Sequence, residues 1–365
     1  MIPLVDLAAQ HREIADEVAR GFAAVIERTA FILGDEVEAF ERELAAFVGV
    51  EHCVAVANGT DALELSLRAA KIGPGDEVVV PANTFVATAL AVVRAGATPV
   101  FVDCDPHYHL IEPRKVVVGP RTRAVIAVHL YGQAAPVDAF AAAAPGVVLI
   151  EDAAQSHGAT RGGRQTGTFG VAAATSFYPA KNLGAYGDGG AVLTRSADVA
   201  EQIRALRNYG SATKYEHPVL GVNSRLDTLQ AVVLRAKLKR LVAWNAARRA
   251  AARRYDELLA GMPDVALPRT APENEHVWHL YTVRVSNRDA VLRGLNAAGI
   301  GAAVHYPVPL PFQGAFRHLG HRRGDFPVAE AAAATLLSLP LSPHITVDQQ
   351  EQVVRALREA LAGAR

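Results

Sequence analysis

In SFYPAKNLGAYGDGG, residues 176–190, a single lysine stands in a glycine-rich stretch whose one other charged residue is Asp188, just after a short apolar run. The other lysines (Lys71, Lys115, Lys214, Lys237 and Lys239) fall in polar stretches or on a long helical segment. Desolvation at the end of a buried strand holds an amine partly unprotonated, and such an amine condenses with an aldehyde to a Schiff base. Arginine, always protonated, could not do this. Taken alone, a surface lysine in a glycine loop reads the same way. A second signal is VVLIEDAAQSHGA, residues 147–159, where an apolar run stops at two acids. Asp152 then sits at the C-terminal end of a strand, where open α/β sheets place their ligands, and could keep a pyridinium nitrogen protonated. A helix N-cap is the plainer role for it. Glu151, Gln155 and His157 flank it. In VAVANGTDALELSLRAA, residues 54–70, a strand ends at Asn58, and Gly59 and Thr60 open a helix. Free N–H groups and the helix dipole there suit a phosphate, although an ordinary capped helix has the same pattern. Ser176, five residues before Lys181, offers another hydroxyl. Phe85, in VVVPANTFVATALAV, follows a strand and could stack on a ring or join the core. Neither GxGxxG nor GxxxxGK[ST] occurs, so the phosphate would belong to something other than NAD or ATP.

Such residues need a scaffold that gathers strand ends. Short β-branched runs alternate with helical patterns: VAVAN (54–58), EVVVP (77–81), TPVFVD (98–103), AVIAVH (124–129), VVLIED (147–152), ATSFY (174–178) and AVLT (191–194). Several are apolar throughout, as in strands buried on both faces of a largely parallel sheet. The spacing predicts an α/β domain. Residues 223–259 read as one long helix with room for one break, linking to a smaller α+β part. There LYTVRV (280–285) and AAVHY (302–306) read as strands, and VAEAAAATLLS (328–338) and DQQEQVVRALREALAG (348–363) as helices. The expected division is 1–240, a large domain holding the site, and 241–365, a small C-terminal domain. Lys plus Arg (37) equals Asp plus Glu (37), which removes the basic footprint of a nucleic-acid or anionic-membrane partner. Cys53 and Cys104 form no CxxC pair, and no leader-like or membrane-spanning stretch is evident, so the expected location is cytoplasmic.

Eight ordered segments extend the pattern over nearly the whole chain: PLVDLAAQH, FILGDEVEAFERELAAFVG, VANGTDALELSLRA, GPGDEVVVPANTFVATA, EDAAQSHGA, SFYPAKNLGAYGDGGAV, NSRLDTLQAVVL and HYPVPLPFQ. Together they resemble the DegT/DnrJ/EryC1/StrS family of sugar aminotransferases dependent on pyridoxal 5'-phosphate (PLP). The resemblance implies the aspartate aminotransferase fold (fold type I), with a large, mostly parallel mixed sheet. It matches Lys181 to the Schiff-base lysine, Asp152 to the partner of the pyridine nitrogen, and Gln155 to the contact at the cofactor's 3-hydroxyl side. Gly59, Thr60 and Ser176 match phosphate contacts, and Phe85 the stacked ring. Asn223 matches an asparagine that reaches the phosphate from the neighbouring subunit, which implies a homodimer with shared active sites. Tyr178, His305 and Tyr306 fall where the family contacts substrate. Relatives with histidine in place of Lys181 carry out dehydration, so the lysine implies transamination, with pyridoxamine phosphate as the cofactor's intermediate form and L-glutamate as donor. SFYPAKNLGAYGDGG with NSRLDTLQ is similar to enzymes aminating C3 of TDP-linked 3-keto-6-deoxysugars or related UDP-3-keto sugars. A keto-cyclitol aminotransferase and a non-catalytic PLP-binding regulatory protein are the alternatives. DCDPHYHLIEP, residues 103–113, departs slightly from the pattern at His109 and Glu112. His107 and His109 read as surface residues, and no metal site is expected.

Overall fold

The computed structural model describes residues 1–364 apart from 212 and 214. Two helices, α1 (Leu7–Arg28) and α2 (Asp35–Val48), precede the strand-and-helix alternation that begins near residue 52. The alternation opens with β1 (His52–Val56), α3 (Gly59–Ala69), β2 (Glu77–Pro81), α4 (Val86–Arg94), β3 (Thr98–Val102), β4 (Thr122–Val128) and α5 (Phe140–Ala143). Next come β5 (Val148–Asp152), the short pair β6 (Thr160–Arg161) and β7 (Arg164–Gln165), β8 (Ala172–Ser176), β9 (Gly190–Thr194) and α6 (Ala197–Leu206). A seven-stranded sheet runs in the order β1-β9-β8-β5-β4-β2-β3, with β9 antiparallel to both its neighbours and the other pairs parallel. Both faces are covered. Val54, Val56, Val78, Val80 and Ile126 pack under α3 and α4, while Ala55, Ala173 and Leu193 pack under α2. This is why the strands read as unbroken apolar runs. The parallel strands end along one edge, which positions the loops after β1, β2, β5 and β8 side by side.

The predicted long helix is two, α7 (Thr228–Leu238) and α8 (Leu241–Leu259), broken at residues 239–240. The division expected at 240/241 falls in that joint. Beyond it lie β10 (Val265–Ala266), β11 (Asn274–Glu275), β12 (Tyr281–Val285), α9 (Arg288–Ala297), α10 (Pro327–Thr335), β13 (Leu336–Leu339) and α11 (Val347–Gly363). The strands β10-β12-β13 form a small antiparallel sheet, and β11 pairs with β6. A separate core of Tyr255, Tyr281, Val283, Leu337, Val353 and Leu357 also takes in Ile2. Ile2 N–H donates to the Gly299 carbonyl, and the Ile2 and Leu4 carbonyls accept from Gly301 and Leu341 (2.8–3.0 Å).

Three expectations need correction. Residues 336–338, expected to be helical, belong to β13: the backbone leaves α10 at Thr335 and pairs with β12, tertiary pairing overriding leucine's helix preference. AAVHY forms no strand; among the described residues only Ala303 makes an isolated bridge, to Ser338, and the prolines at 307 and 309 have no N–H to carry a ladder beyond His305. His109 is not a surface residue: it is 8% exposed, with a left-handed backbone (φ 58°), and burial lowers its pKa to about 4.

Glu41 of α2 fixes the strand that leads into the site. Its Oε1 accepts from the Ala55 N–H (2.8 Å) and Arg207 Nη1 (2.6 Å), while Arg207 also donates to the Ala55 carbonyl (2.6 Å). Removing one member of such a buried pair leaves an uncompensated charge. Glu41→Ala should therefore lower unfolding stability by about 3 kcal/mol, read as a shift in the denaturant midpoint.

Candidate active site

Successive side chains of a strand point to opposite faces, and the two acids that end β5 consequently meet different surroundings. Glu151 is fully buried. Its carboxylate accepts from the N–H groups of Gly167, Phe169 and Gly170 (2.7–2.8 Å) and contacts His129 Nε2 at 2.8 Å. Burial would raise its pKa, but His129 and these N–H donors outweigh it and hold the group below the usual carboxylate value. Asp152, on the other face, accepts from Thr88 Oγ1 (2.8 Å) and the Ala154 N–H (3.2 Å). Burial pushes its pKa up, and Thr88, Ala154 and the charge of Lys181 only partly offset that. Glu151 is thus a saturated structural anchor, while Asp152 retains capacity for one more cationic or proton-bearing partner.

Lys181 lies in the turn after β8, its N–H donating to the Tyr178 carbonyl (2.8 Å). Desolvation lowers its pKa to about 8, with Asp152 opposing the shift. Lys237 on α7 is also lowered to about 8 by burial, so a depressed amine alone does not mark the site. Their surroundings separate them: Lys237 lies 5.1 Å from the Tyr186 ring centroid, whereas Lys181 faces a strand-end acid. The turn itself needs Gly184, where a Cβ would come 2.3 Å from the Pro179 carbonyl oxygen. The next residue, Asn182, is buried and donates to Asn245 Oδ1 and the Val277 carbonyl (both 2.9 Å), fixing the loop from behind.

At the other end of the site, α3 begins at Gly59 with Asn58 as its cap, the Asn58 side chain accepting from the Asp61 N–H (2.8 Å). The N–H groups of the first turn are those a helix leaves for an anion. A Cβ on Gly59 would meet Ser176 Cβ at 2.6 Å, so the glycine brings Gly59, Thr60 and the Ser176 hydroxyl into one small cup. Between cup and lysine, Phe85 caps α4; the residue is 52% exposed and its ring lies 5.6 Å from the Tyr306 ring, leaving a face open to stack on a planar group. Gln155 Nε2 donates to the Tyr306 hydroxyl (3.1 Å), and its Oε1 accepts from the Tyr131 N–H (2.6 Å). His305 is held by Ser338 Oγ at 2.8 Å, and burial lowers its pKa to about 4, so it is neutral.

The structure thus links Gln155 and Phe85 through Tyr306, sets Lys181 within the electrostatic reach of Asp152 and His305, and brings Gly59 and Thr60 against Ser176. Tyr178 is exposed beside them, its N–H donating to Ser176 Oγ at 3.3 Å. Asn223 is not brought in: it is exposed, paired through its backbone with Asn208. Sequence reasoning misses Thr88 and Tyr131. Thr88 lies one helical turn after Thr84, to which it bonds at 3.0 Å, and that i,i+4 threonine pair opposite a strand-end acid is the available signal. Tyr131 bonds Gln155 through its backbone N–H and the His305 carbonyl through its hydroxyl, partners that are distant in sequence and so leave no local signal. The donors fit a planar aldehyde bearing a phosphate: an amine of lowered pKa, a carboxyl able to share a proton, and a cup that any Cβ at Gly59 would fill.

The model of the DegT/DnrJ/EryC1/StrS aminotransferase family matches residues 12–358. The chain is 46% identical to the dTDP-3-amino-3,4,6-trideoxy-alpha-D-glucose transaminase of Streptomyces venezuelae, over 98% of this chain and 96% of that one. It is 45% identical to the UDP-N-acetyl-3-dehydro-alpha-D-glucosamine 3-aminotransferase of Acidithiobacillus ferrooxidans, over 99% and 98% of the two chains. It superposes on the crystal structure of S. venezuelae DesV in complex with a ketimine intermediate with a TM-score of 0.95, 46% identity and 98% of both chains covered.

Because Lys181 is protonated below about pH 8 and neutral above it, the rate at which the apoprotein captures PLP should rise with pH and level off near that value. An ordinary lysine, titrating near pH ~10.4, would give a rate that keeps climbing to about pH 10. Stopped-flow absorbance of PLP uptake between these limits decides which profile holds. At the cup, Gly59→Ala should weaken PLP binding by roughly tenfold or more, since the added methyl must displace Ser176; equilibrium titration of the apoprotein measures it.

Proposed function

The chain belongs to the DegT/DnrJ/EryC1/StrS aminotransferase family, and from that premise we propose that it moves an amino group from L-glutamate to C3 of a nucleotide-linked keto-deoxysugar. It is a PLP-dependent transaminase of fold type I. The observation that carries the reading is Lys181, in the turn after β8, facing the buried strand-end carboxyl of Asp152, with the Gly59–Ser176 cup at the other end of the site. Both relatives described above are named for chemistry at the sugar's third carbon, one on a dTDP and one on a UDP carrier, which supports C3 and leaves both carriers to be tested.

When bound, PLP supplies an aldehyde for amines and a ring that withdraws electrons from the carbon under attack. The chain's residues divide the remaining work. Lys181 Nζ would hold the cofactor's aldehyde and, as a free amine, would move a proton at the reacting carbon, a role its near-neutral pKa suits. Asp152 keeps a proton on the ring nitrogen, and Thr88 fixes that carboxyl's orientation. Gln155 and Phe85 would hold the ring, Gly59, Thr60 and Ser176 would bind its phosphate, and Tyr178, His305 and Tyr306 would face the substrate. Asn223 completes the cup of a second subunit. That reading is supported by exposed apolar residues close to it on the surface: Tyr209, Val219 and Leu220 on its own loop, and Phe31 and Ile32, whose segment is bonded to Asp227 and Thr228. We therefore take the working form as a homodimer. Two buried free thiols, Cys53 and Cys104, agree with a cytoplasmic setting. No helix among the described residues is long and apolar enough to cross a membrane.

The test is the visible absorbance of the PLP-loaded protein challenged with L-glutamate and, separately, with TDP- and UDP-linked 3-amino and 4-amino sugars. Glutamate and a 3-amino sugar nucleotide should each bleach the band; bleaching by 4-amino sugars alone would move the reaction to C4, and a band unmoved by any nucleotide sugar would overturn the substrate class. Lys181→Ala should lose turnover by at least ~100-fold while still holding PLP noncovalently. Full turnover in that variant would refute the role of the lysine.

A further inference from the structure

Ser224, next to Asn223, has no role in the reading above, yet it is fully buried while Asn223 is exposed. Its hydroxyl donates to Asp61 Oδ2 (2.7 Å) and accepts from the Ala57 N–H (3.1 Å), and its own N–H donates to the Arg207 carbonyl (2.9 Å). Ala57 is the residue after β1 and Asp61 lies in the first turn of α3, so both partners flank Gly59 and Thr60. A second tie runs two turns along the same helix, where Arg68 donates to the Leu220 carbonyl. Asp61 is itself braced by Arg94 of α4, Nη1 to Oδ1 at 3.1 Å. The loop of residues 220–224 and the helix that opens the phosphate cup therefore form one cross-linked body. Asn223 stands exposed on the surface of that body.

We infer that Ser224 is a positioning residue for two cofactor sites at once: its own chain's, through Ala57 and Asp61, and a partner's, through the register it imposes on Asn223. The inference rests on the homodimer reading above. Without the hydroxyl, the Ala57 N–H and the Asp61 carboxylate lose a common partner and the loop is no longer held at the first turn of α3. The first turn and Asn223 then each lose their fixed register, since the remaining tie, Arg68 to the Leu220 carbonyl, lies two turns away from the cup. A residue acting only within its own site would leave the partner's cup untouched.

Mixed dimers separate these cases. A Lys181→Ala subunit does not give the visible band of lysine-bound PLP, so in a dimer with one such subunit the band reports only the other site. PLP titration of apo dimers would compare three pairings: wild type with K181A, S224A with K181A, and wild type with the double variant K181A/S224A. The second alters the reporting subunit's own cup; the third alters only the loop offered by its partner. Both should bind PLP about three- to tenfold more weakly than the first, the size expected for one lost hydrogen bond. Ser224→Thr, which keeps the hydroxyl, should recover most of that loss in either pairing. Normal affinity in the third pairing overturns the inference. A fourth pairing, wild type with K181A/N223A, distinguishes that result from failure of the underlying reading. If N223A weakens the reporting site and S224A does not, the crossing asparagine stands and the role of Ser224 falls. If neither does, or if the chain runs as a monomer, the crossing reading falls and the inference with it. Because the reporting subunit in the third and fourth pairings is wild type, and only assembled dimers are titrated, misfolding of a variant cannot imitate the effect.

Discussion

The rest of the site depends on the burial of an acid that is left incompletely satisfied at the end of β5. Strand geometry sends Glu151 and Asp152 to opposite faces of the sheet. The first meets three N–H donors and His129, and the second meets one hydroxyl, one N–H and the field of Lys181. A buried carboxyl with spare capacity is costly unless something arrives to share its charge. The same desolvation acts on Lys181 with the opposite sign, since burial favours the neutral form of both an acid and an amine. One dry edge of a parallel sheet thus prepares an amine for bond formation and a carboxyl for sharing a proton with a partner. Neither group needs a specialised neighbour for that, only the absence of water.

The second constraint is closeness. Ser176 ends β8 and Gly59 opens α3 after β1, two strands separated in the sheet by β9. They can touch only because one lacks a Cβ and because β8 is built from Ala172, Ala173 and Ala174, which let the helices settle near the sheet. Small residues here serve the site by what they leave out. The ties from α3 to the loop of residues 220–224 carry the same compactness outward to the surface.

Much of this is legible in the amino-acid order because burial on both faces writes itself as unbroken apolar runs, and chemistry at strand ends as polar residues that stop them. Asp152, Lys181 and Gly59 are of that kind: each interrupts a pattern. Thr88 and Tyr131 interrupt nothing, since a threonine within a helix and a tyrosine after a strand are ordinary, and their importance comes from what lies opposite in space. The strand at Leu336–Leu339 is hidden for a related reason. Its leucines and the alanine run before it favour helix locally, and only the edge of β12 turns the chain into a strand. His109 reads as a surface residue because polar neighbours surround it in order, while its left-handed turn folds it inward.

Ile2 has a consequence for how the chain is made. It lies between Gly299 and Gly301 and is part of the core of the C-terminal region. A segment near residue 2 therefore leaves the ribosome about 300 residues ahead of its partners, a wait on the order of 15–60 s at elongation rates of about 5–20 residues per second. During synthesis the larger sheet can assemble with that segment still loose. The smaller core closes only after those later residues have been made, so its folding joins two segments translated far apart in time.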